Sequence, residues 1–194
     1  MINHNLFSTP VAIFDVPNFE EINKDIMPLT VNNQWGFKEF KELWSLREEI
    51  PGLKRLYYYF MHFAATYTNT NWGSDYKAMD FSHKHGWLNT AHPGEYQRPH
   101  DHGGISIAIT YYVQVDDNTG EINLYDPRGN RGWMGPQMGQ FDNDRQARSI
   151  FQHQPKVGQA IIFPGWLLHS TELNKSNLTR VSVTSNINLV EKFV

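Results

Sequence analysis

From Asn69 onward the chain breaks into short runs of β-forming residues bounded by glycine, proline, asparagine or aspartate, and this punctuation restricts its fold more than any other feature. Such a texture belongs to a β barrel or sandwich, whose strands pair through tight connections. The expected strands cover 84–91, 95–102, 105–115, 120–125, 159–163 and 178–188. Between them, His92-Pro93-Gly94, Gly103-Gly104 and the run from Asp116 to Gly120 read as turns. Glycine there supplies positive φ, and Asp or Asn side chains bond the nearby backbone. Residues 127–154 are polar and glycine-containing, with Trp133, Met134 and Met138 among them. A loop of that length inside a compact domain is either disordered or functional, commonly a lid.

The first third has a different period. Residues 6–16 alternate loosely around Pro10 and read as an edge strand or extended arm. Phe19, Ile22 and Ile26 then recur at helical spacing until Pro28 stops them. A second amphipathic segment, 37–50, carries Phe40, Leu43, Trp44 and Leu46, and Pro51 with Gly52 interrupts it. A third, 53–68, sets Leu56, Tyr59, Phe60, Phe63 and Tyr67 on one side, a stripe suited to packing on a sheet. The expectation is a mainly β chain with N-terminal helices, an α+β class. Helices fill about 18–70 and the β core about 84–190 of a single domain spanning 1–194.

Composition narrows the chemistry. At 194 residues, 40% of them hydrophobic and 14% aromatic, the chain can bury a core without covalent staples. It has no cysteine, which removes disulfides, zinc ribbons, iron–sulfur clusters and thiol nucleophiles, so any metal must sit on His, Asp or Glu. The formal charge of -3 gives no signature of nucleic-acid binding. No apolar run approaches the length needed to span a bilayer, and the first residues lack the pattern of a signal peptide. A cytoplasmic location is the expectation. Homo-oligomerisation stays open.

The densest chemical signal is Arg98-Pro99-His100-Asp101-His102. On an extended backbone His100 and His102 point one way and Asp101 the other, so two imidazoles share a face and can share a metal. Asp101 in place of His102 would need a bulge or twist to turn it inward. His169 lies 67 residues beyond His102, after a buried-strand pattern and Pro164-Gly165, and would complete three ligands with positions left open. Eleven residues further, Arg180 and Ser182 share a face of another strand. A guanidinium there can clamp a carboxylate through two parallel hydrogen bonds.

Several elements recur in order: Trp87 and Asn89 as W-x-N, Gly94, H-x-H, a Tyr-Tyr-Val strand, Gly120 and Asp126-Pro127-Arg128. They are followed by G-x-x-x-x-F-P-x-x-x-x-H and R-x-S-x-x-x-N. This order closely resembles the 2-oxoglutarate–iron(II) oxygenases found in bacteria and marine phages, and is similar more distantly to prolyl 4-hydroxylase-like and AlkB-like enzymes. The likeness covers roughly 84–190. It implies a double-stranded β-helix (a cupin-like jelly roll), with iron(II), 2-oxoglutarate and O2 as cofactor and cosubstrates. It also implies Arg180 with Ser182 on the distal carboxylate of 2-oxoglutarate, and Asn89 near it. Most of the wider superfamily has H-x-D or H-x-E where this chain has H-x-H.

The implied activity is hydroxylation of an unidentified substrate with release of succinate and CO2. The alternative is a metal-binding jelly-roll module, or a three-histidine cupin-type dioxygenase that does not use 2-oxoglutarate. Arg128 and Trp133 are candidate substrate contacts. His83-Lys84-His85 repeats the H-x-H pattern but has no downstream partner, and reads as pocket wall or surface.

Overall fold

The computed structural model describes residues 8–31, 42–73, 79–128 and 149–191. The expected arm forms strand β1, Ala12–Asp15. Helix α1, Phe19–Ile26, follows with Ile22 and Ile26 buried, and Pro28 lies in the single 3-10 turn that ends it. Glu20 and Glu21 in its first turn and Lys24 in its last complement the helix dipole.

The second expected helix is not a regular α-helix in its described part. Leu43–Leu46 makes one 3-10 turn, which buries Leu43 and Trp44, and residues 37–41 lie outside the described residues. The Glu42 side chain accepts the Trp44 N–H and caps the turn locally.

Helix α2, Pro51–Trp72, begins earlier than the apolar stripe suggests. Proline suits the first helical position because its missing N–H would have no partner there. The Asp25 carboxylate from α1 accepts the Gly52 N–H at 2.8 Å. A Cβ on Gly52 would lie 2.7 Å from that of Asp25, so the close helix contact requires glycine. Leu53, Leu56, Phe60, Phe63, Ala64 and Tyr67 form the buried face, at the helical spacing read in the sequence.

The remaining strands are β2 (Met79–Ala91), β3 (Ile107–Gln114), β4 (Ile122–Tyr125), β5 (Ile150–His153), β6 (Gln159–Pro164), β7 (His169–Thr171) and β8 (Arg180–Glu191). All pair antiparallel, in a five-stranded sheet β1-β6-β3-β8-β2 and a three-stranded sheet β5-β4-β7. This is the expected α+β architecture with a jelly-roll core. Two expectations need correction. Strand β5 falls inside the stretch read as a 127–154 loop, and 95–102 is no strand, since only His100 forms a bridge there, to His169. Proline at 99 has no N–H to donate to a ladder.

The large sheet separates two cores. Ile107, Ile109, Tyr111 and Val113 of β3, with Val181, Val183 and Ile187 of β8, pack towards the helices. Ala108 and Tyr112, with Ile161 and Phe163 of β6, pack with Ile122, Leu124 and Leu167 in a smaller core between the sheets. The period of two makes this division. It also turns Arg180, Ser182, Thr184 and Asn186 of β8 into the space between the sheets.

Gly120, at φ +90, makes the turn into β4, where a Cβ would come 2.4 Å from the Glu172 carbonyl oxygen. In β2 the register against β8 shifts between His83 and His85.

Candidate metal centre and active site

His100, His102 and His169 come together in the structure. Each offers a ring nitrogen, and the three nitrogens lie within 4.8 Å of one another. Ring centroids are 5.4 Å apart for His100 and His102, 4.2 Å for His100 and His169 and 5.0 Å for His102 and His169. The backbone sets this spacing. His100 and His169 exchange N–H to C=O bonds at 2.9 Å in both directions, and the His102 N–H donates to the Gly165 carbonyl at 2.8 Å.

Every Nδ1 is already engaged. His100 donates to the Arg98 carbonyl at 2.8 Å, His169 to the Leu167 carbonyl at 2.8 Å and His102 to the amide oxygen of Asn186 at 2.7 Å. Carbonyl oxygens only accept, so each Nδ1 carries the proton and the Nε2 lone pair is left for a ligand. Burial pushes the His169 pKa down to about 3 and also lowers that of His102, which keeps both rings neutral. Neutral imidazoles of fixed tautomer suit a divalent metal. Asp101, the alternative third ligand, is exposed and outside the cluster.

Arg180 also faces the space between the sheets, 7% exposed. Its guanidinium donates to the Thr119 carbonyl at 3.2 Å and to the Thr171 hydroxyl at 2.7 Å. Among the described residues no carboxylate lies within 4 Å of it. Burial lowers its pKa, and an unpaired cation in such a place is costly. Thr171 lies two residues from His169 on β7, about 7 Å along the strand. Tyr112 contributes a buried hydroxyl with no hydrogen-bond partner among the described residues, in the field of Arg180, and burial raises its pKa. A cation and an orphaned donor so placed make a receptor for an anion.

Ser182 is buried and stands in register between Asn89 of β2 and Tyr112 of β3. Asn89 accepts from the Trp87 indole at 2.9 Å and donates to the Thr184 hydroxyl at 2.9 Å, which leaves it one amide N–H. Thr184 continues to Thr110 at 3.1 Å. Trp87 and Phe163 wall the histidines, at 5.7 Å from His102 and 4.8 Å from His169 between ring centroids.

The family model described as "Putative 2OG-Fe(II) oxygenase" matches residues 85–186. The chain belongs to this 2-oxoglutarate–iron(II) oxygenase family. No curated protein matches it. Among solved structures, the oxygenase is similar to a prolyl hydroxylase from Trichoplax adhaerens, in complex with a hypoxia inducible factor oxygen degradation domain peptide fragment. That pair has 11% identity and a TM-score of 0.65, over 94% of this chain and 85% of that one. It is also similar to AviO1 from Streptomyces viridochromogenes Tue57, at 9% identity and TM-score 0.63 over 93% and 90% of the two chains. A Pseudomonas putida prolyl-4-hydroxylase aligns at 12% identity and TM-score 0.59 over 95% and 90%. At these identities the likeness establishes the jelly-roll fold.

Not every sequence candidate joins the site of the oxygenase. Arg128 folds back in a two-pronged pair with Asp126, at 2.9 and 2.8 Å, on the turn after β4. Trp133 lies outside the described residues. His83 is not pocket wall: it packs against Trp44 and Tyr57 on the helical side of the sheet and bonds Ser185. His85 is exposed near Glu42. Tyr112 and Asn186 went unread in any functional role, although Asn186 closes the R-x-S-x-x-x-N pattern and shares the parity of Arg180.

Proposed function

We propose that His100, His102 and His169 hold the iron(II) of this oxygenase through Nε2, and that Arg180, with Ser182 and Asn89, receives the distal carboxylate of 2-oxoglutarate. One observation supports this above the others: three ring nitrogens of fixed tautomer converge on the strand that also anchors a buried guanidinium, which among the described residues has no carboxylate within 4 Å. Iron(II), 2-oxoglutarate and O2 together supply the oxidising power. In the overall reaction a substrate C–H becomes C–OH with one oxygen atom, the other enters succinate, and CO2 leaves.

The chain's own residues bind, orient and exclude water. Histidines fixed at Nδ1 offer their lone pairs without rearrangement. Arg180 fixes one end of a five-carbon dicarboxylate through paired hydrogen bonds, and Tyr112 stands ready to donate a further one. The Trp87–Asn89–Thr184–Thr110 chain stiffens the floor across three strands. Low dielectric around these groups strengthens each electrostatic contact.

A cytoplasmic setting belongs to the same proposal. Among the described residues no helix is long and apolar enough to cross a membrane.

The test is succinate formation from 2-oxoglutarate with iron(II) and O2. His169→Ala should abolish iron-dependent succinate, and Arg180→Ala should raise the 2-oxoglutarate requirement steeply. Normal turnover in His169→Ala would overturn the assignment. A dioxygenase that ignores 2-oxoglutarate would show metal binding with no metal-dependent affinity for 2-oxoglutarate.

A further inference from the structure

The three histidines converge without a negative charge among them. Among the described residues the cluster contains no carboxylate. Asp101, between two of the three in sequence, is exposed and outside the cluster. The partners behind the rings are neutral as well: two main-chain carbonyls and the carboxamide of Asn186. Arg180, bonded to Thr171 on the strand of His169, adds a buried positive charge to the same space between the sheets. A divalent ion on these rings would meet two uncompensated charges of its own and one of the protein's.

Of the three groups behind the rings, only Asn186 is a side chain. The carbonyls of Arg98 and Leu167 stay neutral whatever the sequence, whereas an aspartate at 186 would accept the same bond from His102 and bring a full negative charge. A carboxylate behind a metal-bound imidazole raises its basicity and its hold on the metal.

We propose, resting on the assignment of the histidines as iron ligands, that Asn186 keeps the metal centre cationic, so that the metal ion and a dicarboxylate bind as a linked pair. Asn186 is a positioning residue acting through His102. It fixes the Nδ1–H tautomer of His102, which frees Nε2, without supplying charge, and leaves neutralisation of the ion to the cosubstrate. Because linkage is reciprocal, the dicarboxylate tightens the metal by the factor by which the metal tightens the dicarboxylate.

The experiment titrates the full chain with Co(II) under argon, following calorimetry and the visible cobalt absorption that reports coordination, with and without saturating 2-oxoglutarate. The expected coupling in the wild type is on the order of tenfold or more. In Asn186→Asp, Co(II) alone should bind about fivefold tighter or better, and the coupling should shrink by a similar factor. A purely structural role would give weaker Co(II) binding with undiminished coupling, and that result overturns the proposal.

Should Asn186→Asp fail to fold, glutarate and butyrate replace it as probes on the wild type. Glutarate, a dianion without the chelating keto group, should tighten Co(II), and butyrate should not; equal effects overturn the proposal. Co(II) binding that ignores every dicarboxylate refutes the charge linkage and leaves the histidine assignment standing. No Co(II) binding refutes both.

Discussion

His100 and His169 are joined twice through their backbones, each N–H donating to the other's carbonyl at 2.9 Å. Two proposed iron ligands are therefore spaced by main-chain geometry before any metal arrives. A preformed site binds without the cost of ordering its ligands, so metal should add directly to stability. At one hundred times its Kd, a metal adds about 2.7 kcal/mol. For a chain of this size that raises Tm by about 5–10 °C. Thermal melts with Co(II) should show this rise in the wild type and lose it in His100→Ala and His169→Ala.

Arg180 separates stability from binding. Arg180→Met removes an unpaired buried charge but also strips the Thr119 carbonyl of a donor. These effects oppose each other, and Tm should move by no more than about 3 °C. The Kd for 2-oxoglutarate in the presence of metal should rise by on the order of 100-fold, the usual cost of deleting one partner of a buried charge pair. Arg180→Lys keeps the charge and loses the fork, so calorimetry should still find it about tenfold weaker than wild type.

Tyr112→Phe removes a buried hydroxyl that has no hydrogen-bond partner among the described residues. The deletion should leave thermal stability unchanged or slightly higher. If the hydroxyl donates to the cosubstrate carboxylate, the 2-oxoglutarate Kd should rise about tenfold, the scale of a hydrogen bond to a charged group. An unchanged Kd would remove Tyr112 from the site.

Gly120 is held at φ +90 with the Glu172 carbonyl oxygen 2.4 Å from where a Cβ would stand. Gly120→Ala should cost about 2 kcal/mol or more, since backbone strain and steric overlap add. A Tm drop of at least about 5 °C is expected, and a drop under 1 °C would show that the turn can relax.

His83 ties acid sensitivity to the helical layer. Burial, assisted by the fields of His85 and Arg47, pushes its pKa down to about 4, against about 6.5 in the unfolded chain. Below pH 6.5 the unfolded chain takes up a proton that the folded ring refuses. The stability is whole above pH 6.5 and is lost as pH falls towards 4, by up to about 1.4 kcal/mol per pH unit for this group. Burial of His102 and His169 acts in the same direction. Urea midpoints at pH 7, 6 and 5 should fall less steeply in His83→Gln than in the wild type.

Much of this site was legible because alternation is a property of extended backbone rather than of complete strands. His100 and His102 share a side although 95–102 pairs only at His100, since hydrogen bonds to Gly165 and His169 keep the segment extended. The parity that links Arg180 to Ser182 reaches Asn186, and the sequence already carried that information. Tyr112 was hidden for a different reason. In a Tyr-Tyr-Val run nothing local says which tyrosine faces the helices and which the space between the sheets. Strand β5 escaped because Ile150–His153 offers four residues of weak alternation beside a long polar stretch. The first residues of α2 escaped because Pro51 reads as a break when its neighbours are unknown, yet serves as a start once Asp25 caps Gly52.

The register shift in β2 bears on how the folded chain meets copies of itself. Among the described residues, Met79–Ala91 is a thirteen-residue strand at one margin of the large sheet, with one row of main-chain donors and acceptors facing away from β8. A straight margin of that length is a template on which another chain can extend the sheet. The unpaired Lys84, exposed between His83 and His85, interrupts the row and sets a charge at the break. The kink that sends His83 towards the helices thus also divides the margin into two lengths, each a poorer seed for edge-to-edge aggregation than the whole.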